Sequence, residues 1–149
     1  PDDGCYDRAA VMRPVLVKWG VAQQPAKLFS VGELRVATSN HPEGYVDWFY
    51  HVVPVVRVGA EAYALDPSIE PSRPLTVREW AERQSPDLTP RLSVCSPYSY
   101  NLRTLCRSAS RGGDDYAQSS ILSFLNREWN RQHQLGRDPH LVLGDNPPW

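Results

Sequence analysis

With 149 residues, 41% of them hydrophobic and 22% charged, the chain has the size and composition of one globular domain that buries a real core. A formal net charge of −1 lacks the basic excess of a nucleic-acid or anionic-membrane binder, and no apolar run is long enough to span a bilayer. Pro1 to Cys5 lack the basic and apolar regions of a signal peptide and read as the cut end of a longer protein, a mature enzyme or an excised domain.

From Cys5 to about Trp19, Ala9, Ala10, Val11, Val15, Leu16 and Trp19 recur in a helical rhythm. Asp2 or Asp3 is placed to cap the start and Gly20 to end it, while Pro14 should kink or split the helix. Leu34 to Thr38 reads as a short strand and Ser39 to Gly44 as a turn. Trp48 to Val58, rich in aromatic and β-branched residues, predicts a strand. Gly59-Ala60 suits a two-residue type II′ hairpin loop, and Glu61 to Leu65 returns as the partner strand. Pro54 inside the first strand suggests an edge or a bulge.

Thr76 with Glu79 three residues on forms a capping box for a short helix. Residues 84 to 113, polar and broken by prolines and serines, predict mostly loop. Asp114 to about Leu135 predicts a longer helix with Tyr116, Ile121, Leu122, Leu125 and Trp129 as its apolar stripe and Gly136 at its end. The proline-containing tail to Trp149 should be irregular. Trp19, Trp80 and Trp129 fall on helical faces and read as core.

The chemistry gathers at three positions. Cys5 falls at a helix start, where unpaired backbone N–H groups and the helix dipole favour a thiolate and can also donate to an oxyanion. Gly4 before it would let a substrate approach the backbone closely. If Gly59 and Ala60 form the loop, Val58 faces Glu61 and Asp66 faces Val53. His51, on the same strand face as Val53, then becomes a diagonal neighbour of Asp66 with Cβ atoms roughly 7–8 Å apart or less. An aspartate so placed orients an imidazole that takes a cysteine's proton; a purely structural histidine–aspartate contact at a hairpin end fits the same register. Trp48 and Tyr50 belong either to the core or to a substrate cleft. His41, His133 and His140 read as surface groups.

Three cysteines suggest one pair, Cys95 with Cys106, and a free Cys5. Three reduced cysteines in a cytosolic protein is the other reading. The cysteines and histidines lack paired metal-ligand spacing, so no metal and no organic cofactor is expected.

Gly4-Cys5-Tyr6-Asp7-Arg8-Ala9, Trp48-Phe49-Tyr50-His51-Val52-Val53-Pro54, Tyr63-Ala64-Leu65-Asp66-Pro67-Ser68 and Pro74-Leu75-Thr76-Val77-Arg78-Glu79-Trp80 together resemble the successive motifs of the bacterial protein-glutaminase family. The resemblance covers about residues 4 to 83. It implies an α+β fold with a papain/transglutaminase-like core, a cysteine-bearing helix packed on a small antiparallel sheet bearing the histidine and aspartate. It also implies that Cys5 is nucleophile, His51 general base and acid, and Asp66 the orienting acid, in a hydrolase acting on glutamine presented by a protein substrate. Tyr6-Asp7 departs from the histidine-alanine-like pair expected after the cysteine, which places Tyr6 on the cleft wall.

The expectation is therefore one catalytic domain over residues 1–149 that deamidates protein-bound glutamine through a thioester, secreted or delivered out of a bacterial cell, as an effector or toxin would be. A transglutaminase or cysteine peptidase would share the triad, and a non-catalytic binding module would share the fold. Oligomeric state leaves no mark on the sequence.

Overall fold

The computed structural model describes residues 3–21, 25–84, 90–99, 106 and 113–145. Asp2, much of the expected 84–113 loop and the last four residues lie outside that range. The elements run α1 (Cys5–Lys18), β1 (Ala26–Ala37), β2 (Tyr45–Val58), β3 (Glu61–Ala64), β4 (Leu75–Thr76), α2 (Val77–Glu82), β5 (Arg91–Cys95), α3 (Gly113–Gln134) and α4 (Pro139–Leu143). The fold is α+β: one antiparallel five-stranded sheet in the order β4-β3-β2-β1-β5, with helices packed on it.

The hairpin follows the turn chemistry of Gly59-Ala60. Gly59 has φ 63°, and Ala60 is not among the positive-φ residues, which matches a type II′ loop. Val58 pairs with Glu61 and Val55 with Ala64, the expected register. Pro54 sits in a central strand, not at an edge. Its carbonyl accepts from the Leu65 N–H at 2.9 Å. Backbone N and O of one strand residue face the same neighbour, so the missing donor of Pro54 points to where the β3 ladder has already ended. The irregularity lies instead in β1, where the register shifts between Val31 and Leu34.

Helix α1 starts at Gly4, in a left-handed conformation (φ 76°), with no side-chain cap; Asp3 Oδ1 instead accepts from the Gly4 N–H. The helix runs through Pro14 without splitting, held by packing against β2 and α3. At its end Gly20 donates to Val17 and Val21 to Leu16, a Schellman closure. Helix α2 carries the full capping box between Thr76 and Glu79.

Further expectations are corrected. The first strand is twelve residues long, starting at Ala26; Arg91–Cys95 is a strand paired to β1 within the segment read as loop; and Pro139–Leu143 is a short helix capped by Asp138. Trp19 is 73% exposed, and Tyr116 and Leu122 are exposed as well. The inward face of α3 is set by Ala117, Ile121, Glu128 and Gln132. Among the described residues, two apolar clusters fill the interior. One joins Leu28, Val53, Val55, Ala64, Leu75 and Trp80; the other joins Cys5, Ala9, Phe29, Val52 and Cys95.

Candidate active site

Cys5 is the first residue of α1, buried and the one free cysteine among the described residues. The first helical bond, from the Arg8 N–H to the Gly4 carbonyl at 3.0 Å, leaves the N–H groups of Cys5, Tyr6 and Asp7 ahead of the ladder, with no side chain capping them. His51 comes from β2, and Asp66 from the first turn after β3. His51 Nε2 lies 2.7 Å from Asp66 Oδ2, with 1% and 2% of the two side chains exposed.

The diagonal placement expected from the hairpin register brings these two groups together. The other ring nitrogen, Nδ1, is buried and makes no hydrogen bond of standard geometry. Cys5 is nonetheless close enough to act on the ring both as a hydrogen-bonding neighbour and through its charge.

Burial by itself would push the His51 pKa down, but the charge and hydrogen bond of Asp66, with a contribution from Cys5, raise it to about 9. Burial opposes ionisation of Asp66 too. The imidazolium outweighs it, helped by donors on Ser68 and Trp80, and holds Asp66 well below the usual carboxylate range.

Trp80 Nε1 donates to Asp66 Oδ2 at 2.8 Å. The Ser68 N–H donates to Oδ1 at 3.1 Å, and the Ser68 hydroxyl also donates there. Trp80 and Ser68 were not singled out from the sequence as site residues. The capping box, by fixing where α2 starts, was the one signal that bore on Trp80's position.

A cavity of about 230 Å³ opens at Cys5, lined also by Asp3, Arg8, Asp47, Trp48, Phe49 and Tyr50. Trp48 and Tyr50 thus both line this cavity, and Tyr50 also packs on the apolar cluster that contains Cys5. The Tyr50 hydroxyl is close enough to Cys5 to act as a hydrogen-bonding neighbour, and its pKa is raised, first by burial. Asp47, Trp48 and Phe49 also line a second cleft of about 540 Å³ that runs to Gly32 and Glu33. Phe49, 71% exposed, stands on the rim between the two.

Gly4 and Tyr6 do not line the cavity at Cys5. A Cβ at Gly4 would lie 2.7 Å from the Phe124 ring, so the missing side chain makes room for α3. The Tyr6 hydroxyl is engaged with Tyr116, Ser120 and Asp7, which turns it toward α3. Cys95 and Cys106 form a disulfide with Cα atoms 4.8 Å apart. Among the described residues no group of three or more His, Cys, Asp or Glu is arranged to hold a metal, and no helix is long and apolar enough to cross a membrane.

Residues 1–84 match the protein family described as Glutaminase. Among solved structures, a crystal structure of protein-glutaminase aligns at 24% identity over 82% of this chain and 71% of that one, with a TM-score of 0.61. The NMR structure of protein-glutaminase from Chryseobacterium proteolyticum aligns at 24% over the same shares, with a TM-score of 0.62. A crystal structure of pro-protein-glutaminase aligns at 24% over 82% of this chain and 47% of that one, TM-score 0.62. These likenesses share the α+β architecture. No curated protein matches the chain.

Proposed function

Because the chain belongs to the glutaminase family, matched over its first 84 residues, we propose that it hydrolyses the side-chain amide of glutamine within proteins, using Cys5, His51 and Asp66. The observation that carries this reading is the buried 2.7 Å contact of His51 with Asp66, next to a free cysteine at a helix start inside a cavity. The solved relatives named protein-glutaminase support protein-bound glutamine as substrate. So does the cleft: free glutamine needs only the cavity at Cys5, whereas the adjoining 540 Å³ has room for the residues that flank a glutamine in a polypeptide.

The reaction runs in two halves. With its proton already on His51, the Cys5 sulfur attacks the γ-carboxamide carbon, and the Cys5 N–H donates to the developing oxyanion. The C–N bond breaks, ammonia leaves with the proton held by His51, and a thioester remains. Water, deprotonated by His51, then adds to the thioester, and the C–S bond breaks to give glutamate and the free thiol. Asp66 stabilises the imidazolium and fixes its orientation throughout. A disulfide beside a free thiol supports work outside a reducing cytosol, hence secretion or delivery from the cell.

The test measures ammonia release from glutamine-containing proteins against free glutamine, with Cys5→Ala as control. Release from proteins, abolished by Cys5→Ala, is expected. Amine incorporated at glutamine in place of its conversion to glutamate, or main-chain fragments, would replace the reading with transamidation or proteolysis.

A further inference from the structure

The His51 ring lies against two indoles. Its centroid is 4.4 Å from that of Trp48, with 19° between the planes, and 5.7 Å from that of Trp80, with 26° between the planes. Trp48 comes from the same strand three residues earlier, and Trp80 from α2.

We propose that Trp48 and Trp80 are positioning residues for the reaction, two stacked indoles that fix the plane in which the His51 ring faces Cys5. The inference rests on the reading that His51 exchanges a proton with Cys5.

The physical need is specific. The ring torsion of histidine is broad, and a single hydrogen bond through Nε2 leaves the ring free to rock about that bond. Nδ1 meets Cys5 without a hydrogen bond of standard geometry to stop it. Two nearly parallel aromatic faces remove that freedom, and they favour the charged ring over the neutral one. Trp80 also acts through Asp66: its N–H shares Oδ2 with His51, so the carboxylate is held from the α2 side while it accepts from the imidazole.

The titratable groups acting on His51 are Asp66, after β3, and Cys5, on α1. Its partner on β1, Ser30, is uncharged, and Tyr50 acts on the thiol with its hydroxyl protonated.

The experiment follows Cys5 alkylation by iodoacetamide against pH, without substrate, beside kcat and KM on a glutamine-containing protein. For Trp48→Leu the inflection reporting His51 should move down by about half a pH unit or more, and kcat should fall about tenfold. Trp48→Phe, which keeps an aromatic face, should restore most of both. Trp80→Phe, which keeps the ring but drops the N–H, should lower kcat more than it raises KM while the urea midpoint shows a folded protein; if that variant does not fold, the Trp48 pair decides.

An unchanged inflection and kcat in Trp48→Leu, with only KM raised, would make Trp48 a cleft wall and overturn the proposal. Wild-type protein that alkylates at Cys5 with the same inflection but releases no ammonia would instead sink the glutamine reading and leave the stacking intact.

Discussion

Asp66 accepts four hydrogen bonds on two oxygens, from His51, Trp80 and twice from Ser68, and this saturation governs the pH behaviour of the pair. Its folded pKa is depressed, so its contribution to stability is present above its ordinary value of 3.8 and lost as pH falls below that. His51 runs the other way: raised from 6.5 to about 9, it contributes fully below 6.5 and loses that contribution as pH rises through about 9. Urea unfolding across pH should therefore show greatest stability between about 4 and 6.5, and Asp66→Asn should flatten both flanks. The same substitution should slow ammonia release roughly 10²–10⁴-fold and move the alkaline limb of kcat/KM down from about 9; full activity in Asp66→Asn would remove it from the site. The His51–Asp66 contact was legible because a two-residue loop leaves one register for the hairpin. Asp7 was not: it is fully buried against Ser120, 113 positions along the chain, a separation that no local pattern spans.

Short sequence signals served the elements well where the chemistry is local. The capping box of α2 satisfies both reciprocal bonds, Glu79 N–H to Thr76 Oγ1 at 3.2 Å and Thr76 N–H to Glu79 Oε2 at 2.8 Å. Thr76→Ala should cost about 1 kcal/mol by urea denaturation, and because α2 carries Trp80, part of that loss should appear as reduced kcat. Where tertiary packing sets the structure, the signals failed. The front half of β1 was hidden by Lys27 and Ser30, which are polar yet buried; Lys27 reaches the Ser99 carbonyl at 3.1 Å. Strand β5 escaped because it is a five-residue edge strand whose alternating apolar residues, Leu92 and Val94, are exposed and not buried. The stripe expected on α3 missed its true inward face because Glu128 and Gln132 are buried there and bonded to each other at 2.9 Å.

At the scale of the molecule, the family match ends at residue 84, yet the cysteine-bearing helix leans on α3. Phe124 occupies the space beside Gly4, Ser120 bonds Asp7, and Arg127 lies 3.4 Å from Asp3. Gly4→Ala should therefore destabilise by roughly 1–2 kcal/mol from its left-handed backbone and by another 1–3 kcal/mol or so from overpacking against Phe124. Thermal unfolding with an activity assay would check that both fall together. The Cys95–Cys106 bridge closes a short loop, and Cys95→Ser with Cys106→Ser should cost about 2–4 kcal/mol, read as a lower urea midpoint. None of this α3 support was legible beforehand, because no residue pattern near Cys5 points to a partner more than a hundred positions away. Asp3 has a last consequence for anyone handling the protein, since it both leads into α1 and lines the cavity at Cys5. A bulky label attached at this position, as on an Asp3→Cys variant, would stand at the mouth of the cleft and compete with substrate, raising KM while sparing kcat.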